Sequence, residues 1–259
     1  MAGPAAKSVR KRVDQLLVDR GLADSRNKAQ ALVMAGLVFH GERRIDKPGA
    51  AVPDDGALAV RGRDHPWVSR GGLKLAHGIA RFGVDPARRT CLDIGASTGG
   101  FTDVLLHHGA AKVYAVDVGH GQLAWKLRND PRVTVLEKTN ARHLSRDLVP
   151  DPPGAIVCDA SFIGLETVLP AGLALAAPGA WLIALIKPQF QAGREQVGKG
   201  GVVRDPAVHE AVCLEVRTWL GAQPGWTVRG IAESPVTGPE GNREFLICAD
   251  FRAEAADSA

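Results

Sequence analysis

Lys74, Asp159, Lys187 and Glu244 are the four side chains with which this sequence could do chemistry on a weak nucleophile. Asp159 follows the apolar run Ala155-Ile156-Val157-Cys158, Lys187 follows Trp181 to Ile186, and Glu244 opens the run Arg243 to Phe251. Lys74 stands in the first turns of a helical pattern that opens at Ser69-Arg70-Gly71-Gly72. An amine with lowered proton affinity can take a proton from a hydroxyl, and carboxylates can orient that amine. Taken singly, each residue reads more readily as structural: a strand-end lysine, a hairpin acid, a charge on a helix surface. What matters is whether the fold gathers them at one edge.

The elements that would gather them begin at Thr90-Cys91-Leu92-Asp93-Ile94-Gly95-Ala96-Ser97-Thr98-Gly99-Gly100-Phe101. This stretch reads as a short apolar strand, a glycine turn and the start of a helix carrying Phe101, Val104, Leu105 and Leu106. Lys112-Val113-Tyr114-Ala115-Val116-Asp117 is a second buried strand that ends in an acid. Strand, glycine turn, helix, strand, acid is the front half of a nucleoside-binding α/β fold. Asp117 can take two ribose hydroxyls, and the glycines let a ligand lie against bare backbone. A dinucleotide would want G-x-G-x-x-G and a pyrophosphate on the helix N-terminus. Here the spacing is Gly95-x-x-x-Gly99-Gly100, and Asp93 at the loop entrance would repel a pyrophosphate. The same acid suits a ligand with a cationic amino-acid end, so the expected ligand is S-adenosylmethionine. Its expected contacts are Asp93, Gly95, Ala96, Ser97, Thr98, Gly99, Asp117 and Asp159, with Asn140 either on the adenine or capping a loop. Another nucleotide, or a turn that binds nothing, stands as the rival reading.

Further strands are expected at Val133–Leu136, Ala155–Cys158 and Trp181–Ile186, with helices between them. A helix from Pro206 to Leu220 then leads to a terminal hairpin, Thr227–Glu233 and Arg243–Phe251. The fold class is therefore α/β: a small N-terminal α+β module, then a Rossmann-like domain on a seven-stranded, mostly parallel sheet. Ligands of such sheets sit beyond the carboxyl ends of the parallel strands, where Gly95, Asp117, Asp159 and Lys187 all fall. The last strand runs back antiparallel, so Glu244 starts at that edge, and Lys74 can reach it from the preceding helix.

The chain's 259 residues fit one large domain or a small one plus a medium one, and 45% hydrophobic content is enough for a real core. No apolar run has membrane-spanning length. Met1 to Arg12 is basic without the apolar centre of a signal peptide, so the expected location is cytoplasmic. Cys91, Cys158, Cys213 and Cys248 are scattered without a C-x-x-C pair, which favours buried thiols over zinc or disulfides. No metal site is expected. Charge is uneven: residues 1–65 hold 12 Lys/Arg against 8 Asp/Glu, whereas residues 66–259 hold 20 of each. The excess points to a polyanion partner for the first quarter of the chain.

In that quarter, Val9, Val13, Leu16 and Leu17 recur at helical spacing up to Gly21, and Asp24 or Ser25 caps a second helix bearing Ala29, Leu32 and Val33, closed by Gly36. Short strands follow at Leu37–Phe39 and, after Asp54-Asp55-Gly56, at Leu58–Val60. The run Arg12-Val13-Asp14-x-x-Leu17, Gly21-Leu22, Ser25-Arg26, Ala29, Gly36-x-Val38 and Lys47-Pro48 resembles an S4 domain. That module binds structured RNA in ribosomal protein S4, pseudouridine synthases and tyrosyl-tRNA synthetases. The resemblance makes Arg10, Arg12, Arg26 and Lys28, clustered on the helical half, the expected RNA contacts, with Arg70 beside the second domain's site. A merely solvated basic face is the bland alternative. Aromatic rings are scarce here, so phosphate contacts and shape should outweigh base stacking. The expected domains are residues 1–62, a linker over 63–68 in which Trp67 could dock one domain on the other, and 69–259.

The Lys74, Asp159, Lys187, Glu244 set resembles the Lys-Asp-Lys-Glu tetrad of FtsJ-like ribose 2′-O-methyltransferases. With the S4-like segment, the chain is similar to the TlyA (hemolysin A) family from about residue 9 to residue 250. The shared stretches include Trp67-Val68-Ser69-Arg70-Gly71, Asp93 to Phe101, Val116-Asp117-Val118-Gly119, Gly121-Gln122-Leu123, Lys187-Pro188-Gln189-Phe190 and Gly200-Gly201-Val202-Val203. His120 departs from the family's usual tyrosine. The resemblance implies S-adenosylmethionine-dependent 2′-O-methylation of ribose in ribosomal RNA within ribosomal subunits, with no membrane partner. Lys187 is then the expected base, Lys74 and Glu244 position it and the ribose, and Asp159 orients Lys187. The rival class is an inactive RNA-binding protein of the ribosome that keeps the methyltransferase fold. Membrane lysis rests on the hemolysin name alone. Two motifs are near misses. Gly193-x-x-x-x-Gly198-Lys199 lacks the Ser/Thr of a P-loop and reads as a mobile flap over the substrate, and Asp151-Pro152-Pro153 precedes its strand where an amino-methyltransferase motif would follow it.

Overall fold

The computed structural model describes residues 10–23, 25–55, 57–61 and 65–253, the side chains of Arg194 and Pro239 excepted. Val9, Asp24, Gly56, Gly62, Arg63, Asp64 and residues 254–259, on which parts of the sequence reading fell, lie outside the described residues. The chain divides into two compact units, Met1–Pro66 and Trp67–Ala259.

In the first unit β1 (Arg10–Arg12) runs into α1 (Val13–Asp19), followed by α2 (Arg26–Met34), β2 (Val38–His40), β3 (Arg43–Arg44), β4 (Ala51–Pro53) and β5 (Leu58–Val60). The first helix starts later than its periodicity suggested. Arg10, Lys11 and Arg12 pair antiparallel with Pro53, Val52 and Ala51, and strand pairing wins over helix extension. Arg10 and Arg12 therefore sit on a strand rather than on the helical half. Asp14 is well placed in the first turn, where the helix N-terminus favours an acid. Gly21 and Gly36 take the left-handed conformation after the two helices, at φ 65° and 71°. Ser25 accepts a hydrogen bond from the Lys28 amide and caps α2. Val13, Leu16, Leu17, Ala29, Val33 and Val38 form the unit's core.

The second unit opens with α3 (Gly71–Phe82) and β6 (Thr90–Ile94). It continues through α4 (Gly100–His107), β7 (Lys112–Val116), α5 (Trp125–Arg128), β8 (Val133–Leu136) and β9 (Ala155–Cys158). Then come α6 (Leu165–Val168), α7 (Pro170–Leu173), β10 (Trp181–Ile186), α8 (Pro188–Gln191), α9 (Pro206–Gly221), β11 (Trp226–Glu233) and β12 (Phe245–Phe251). Seven strands order as β11-β12-β10-β9-β6-β7-β8. The five from β10 to β8 are parallel, and β12 and β11 close the sheet antiparallel. Both faces are covered, so the strands read as unbroken apolar runs. Leu92, Ile94, Ile156 and Leu182 face one core, while Cys91, Val113, Val157 and Ile183 face the other, with the period of two a strand imposes.

One local expectation changes. The helix before the first strand buries Gly72, Leu75, Gly78 and Ile79, whereas Leu73 and Ala76 are half-buried and Ala80 is exposed. The glycines set this face: a Cβ on Gly72 would fall 2.4 Å from Trp67 Cγ, and one on Gly78 would fall 3.3 Å from Ile183. Trp67 packs within the second unit, edge-on to His107 at 5.1 Å between ring centroids.

Candidate active site

The chain leaves β6 toward β7 and β8 on one side and resumes at β9 on the other, which opens a crevice beyond the carboxyl ends of β6 and β9. Gly95, at φ 83°, lets the two loops meet there: a Cβ on it would lie 2.9 Å from the Ala160 amide nitrogen. In β10 and β12 the last paired residues are Ile186 and Phe245, so Lys187 and Glu244 emerge beside each other at that edge. Gly71, at the head of α3, packs on the same spot; its Cβ would come 3.6 Å from Asp159 Oδ2.

Two lysine–carboxylate pairs result. Lys74 Nζ lies 2.5 Å from Glu244 Oε2, with the side chains 10% and 0% exposed. Lys187 Nζ lies 2.6 Å from Asp159 Oδ1, donates to Ser161 Oγ at 2.8 Å and approaches the Asp159 carbonyl at 3.3 Å. Buried charges persist only where partners compensate them, and each lysine has its acid. Pairing fixes where the amines point without occupying every acceptor on the acids.

Asp159, alone of these four residues, lines a cavity of about 420 Å³. Asp117, Asn140, Thr139, Gln122 and Ser97 supply its polar wall, Ile94, Val116, Ala141 and Val168 an apolar one, and Asp159 with Ser161 the end next to Lys187. Asp117 accepts from the Ser97 amide at 2.8 Å and the Gly119 amide at 2.6 Å, which fixes its rotamer while leaving each oxygen a second lone pair. Asn140 caps the turn Ala141–His143, its Oδ1 accepting from the Arg142 amide, and it also lines the cavity. An apolar slot with hydroxyl acceptors at one end and a carboxylate at the other suits a nucleoside that carries a cationic group.

Four residues expected to touch that ligand do not line the cavity. Ala96 is buried, and Thr98 is half-buried with its carbonyl taken by the Ala124 amide. Gly99, at φ 96°, serves packing: its Cβ would lie 2.3 Å from Leu127. Asp93 is wholly buried under the loop, with Oδ2 accepting from Thr102 at 2.6 Å and Oδ1 without a partner among the described residues. Burial, reinforced by the neighbouring charges of Asp159 and Asp117 against the Thr102 hydrogen bond, pushes its carboxyl up to about 7.

The sequence reading missed Ser161, the second partner of Lys187, and Phe162. Phe162 is 87% exposed at φ 65° on the cavity rim, with its ring 4.8 Å from Phe190. Their position two and three residues past Asp159 was the available signal. Glu137 was also missed. Burial would raise its carboxyl, but the Gly121 amide, Arg128 and His120 hold it at about 2, and it thereby pins the loop bearing Val118 and Gln122. His120 spends its ring on Glu137 and does not line the cavity. Burial pushes the thiols of Cys91, Cys158 and Cys248 up to about 12, so none is a nucleophile. No cluster of metal-ligating side chains occurs among the described residues. No helix among them is long and apolar enough to cross a membrane.

On the first unit, Arg12 and Arg26 do not point freely outward. Asp14, with no exposure, accepts from Arg12 Nε at 3.0 Å and Nη2 at 2.9 Å, from Arg26 Nε at 3.0 Å, and from Gln30 at 3.2 Å. The guanidinium groups stay half-exposed, so one buried acid aims two arginines at solvent. Arg10 donates to the Ala51 carbonyl, Lys28 is exposed on α2, and Arg70 is exposed at the head of α3. The glycine-rich segment 198–203 is a closed turn, bridged from Gly198 to Val202 with Gly200 and Gly201 at positive φ.

Comparison with known proteins gives two family matches, the FtsJ-like methyltransferase over residues 67–251 and the S4 domain over residues 11–55. The 16S/23S rRNA (cytidine-2′-O)-methyltransferase TlyA of Mycobacterium tuberculosis is 48% identical over 256 residues, covering 96% of this chain and 93% of that protein. Hemolysin A of Brachyspira hyodysenteriae is 39% identical over 236 residues, 91% of this chain and 98% of its own length. The solved structure of a candidate hemolysin from Streptococcus thermophilus superposes with a TM-score of 0.73 at 44% identity, over 95% of this chain and 90% of that one.

Proposed function

Because the chain belongs to the TlyA (hemolysin A) family, an S4 domain followed by an FtsJ-like methyltransferase, we propose that it methylates ribose 2′-hydroxyls of ribosomal RNA. The methyl donor in this reading is S-adenosylmethionine, which supplies an electrophilic methyl group. The observation that carries the proposal is a nucleoside-sized cavity lined by Asp117, Asn140 and Asp159, with Lys187 paired to that Asp159 and the Lys74–Glu244 pair at the same sheet edge.

A ribose hydroxyl is a poor nucleophile at neutral pH, so the site must align it and remove its proton. Alignment alone can supply several kcal/mol, roughly 7–11 in the best cases. Lys187 takes the proton. Its present acceptors are Asp159 and Ser161, and a cation seated against Asp159 competes for that carboxylate and loosens its hold on the lysine. Lys74 is fixed by Glu244 and holds the ribose and Lys187 in register. Asp117 and Asn140 hold the nucleoside, and Asp159 holds its cationic end. Phe162 offers a ring face to a base at the rim. The S4 unit docks the RNA through Arg12 and Arg26, aimed by Asp14, with Arg10 and Lys28 adding phosphate contacts, and Arg70 of the second unit adds another.

Mapping 2′-O-methyl positions in ribosomal RNA from cells with and without the gene tests this directly. At least one position should lose its methyl group in the deletion strain and regain it on complementation. An unchanged map would refute the proposal.

A further inference from the structure

His209 is a buried titratable side chain that the proposed chemistry does not use. It projects from α9, is 3% exposed, and its Nδ1 has no partner among the described residues. Its Nε2 lies 3.0 Å from the Val203 carbonyl, an acceptor only, so Nε2 carries the hydrogen and donates. Its ring sits 5.7 Å from that of Phe245, the residue after Glu244. An apolar side chain would fill this site without stranding Nδ1, so the retained imidazole calls for a reason beyond packing.

That reason lies in what Val203 is joined to. The chain leaves the sheet at Lys187, runs through α8 and the bridged turn at 198–202, and reaches Val203. There the Val203 amide donates to Asn242 Oδ1 at 3.1 Å, and Asn242 Nδ2 donates to the Gly201 carbonyl at 3.0 Å. The Asn242 carbonyl accepts from the Gly238 amide at 2.8 Å, and Gly238 lies against Glu244, where its Cβ would fall 2.1 Å from Oε1. The loop that starts at Lys187 is thereby tied to the turn that delivers Glu244, and His209 holds the knot from α9.

We propose that His209 is a positioning residue: by gripping the Val203 carbonyl it fixes the loop after Lys187 against the turn before Glu244, and so sets the two lysine–acid pairs relative to each other. It touches neither substrate nor methyl donor. The inference rests on the methyltransferase reading for its kinetic consequence only; the mechanical link stands on the contacts themselves.

Two variants separate the donor from the ring. His209→Phe keeps the packing on Phe245 and removes the hydrogen bond, whereas His209→Gln can still donate to Val203. In His209→Phe, kcat should fall about ten- to a hundredfold, the cost of a small misplacement of reacting groups, while S-adenosylmethionine affinity measured by calorimetry stays at the wild-type value. Hydrogen exchange at the amides of residues 201–203 and 242–244 should speed up in the same variant. His209→Gln should restore both rate and protection. Wild-type exchange in the Phe variant, an equal loss in both variants, or cofactor affinity falling in step with kcat would each overturn the assignment. Should the Phe variant not fold, the Gln variant decides alone: wild-type kcat and protection support the clamp, and their loss contradicts it. A wild-type protein that transfers no methyl group would sink the functional reading, and the exchange comparison would still judge the clamp.

Discussion

Lys74 and Glu244, separated by 170 positions in the chain, form the most deeply buried ion pair of the second unit's sheet edge, Nζ to Oε2 at 2.5 Å. Glu244 Oε1 has no hydrogen-bond partner among the described residues. A charge pair in that position is a weak stabiliser at best, because desolvation offsets most of the attraction. Its retention fits a requirement for an amine at a set place and orientation, which a pair of apolar residues cannot meet.

This separates stability from chemistry in a double-mutant cycle. Lys74→Met leaves an uncompensated buried acid and should destabilise the protein by about 3–5 kcal/mol. Adding Glu244→Gln should recover most of that loss in chemical denaturation, while methyl transfer stays absent in both single variants and in the double. Recovery of transfer in the double variant would show that the pair serves folding alone.

Asp93 links stability to pH with a sign opposite to that of an ordinary paired acid. Its carboxyl is raised to about 7, so the folded state holds the proton more tightly than the unfolded chain does. Its contribution is therefore complete below the unfolded value near 4 and is lost as pH rises toward 7. Above that, ionising the buried acid costs up to about 4 kcal/mol. Asp93→Asn should raise the melting temperature at about pH 8 and converge with the wild type near pH 4. Parallel melting curves for the two proteins across that window would contradict the assignment.

Asp14 should behave in the conventional direction. Arg12, with Gln30 and Arg26, holds its carboxyl far below the usual range despite burial, so its stabilisation is present above the unfolded value and fades as pH falls below about 4. Asp14→Ala should cost the first unit about 2–3 kcal/mol through lost charge-assisted hydrogen bonds. It should also weaken binding of ribosomal RNA and flatten its salt dependence, because Arg12 and Arg26 lose their aim. Filter binding at two salt concentrations checks this, and unchanged affinity in a folded variant would detach Asp14 from RNA binding.

Much of the second unit was legible because its strands are continuous apolar runs ended by acids, lysines or glycines. Short runs of this kind between helical stretches point to a buried, mostly parallel sheet, and its carboxyl edge follows from topology. That logic placed Lys187, Asp159 and Glu244 together before any coordinates. The lapses have local causes. Gly99 matched a ligand-contact pattern, yet only tertiary packing reveals that its missing Cβ makes room for Leu127. Ala96 and Thr98 follow the same loop inward, and Asp93 lies beneath it. The start of α1 was misplaced because Val9 and Val13 share helical spacing, while the pairing of Arg10–Arg12 with Ala51–Pro53 depends on residues forty positions away. Ser161 and Phe162 carried no periodic signal at all, and their importance appears only once the cavity rim exists.

The central claim is tested most directly by transfer of a labelled methyl group from S-adenosylmethionine to ribosomal subunits, followed by complete digestion to nucleosides. The account predicts label in 2′-O-methylated nucleosides with the wild-type protein, and none with Lys187→Ala, although that variant still binds the donor. Label on a base, or full transfer by Lys187→Ala, would contradict it.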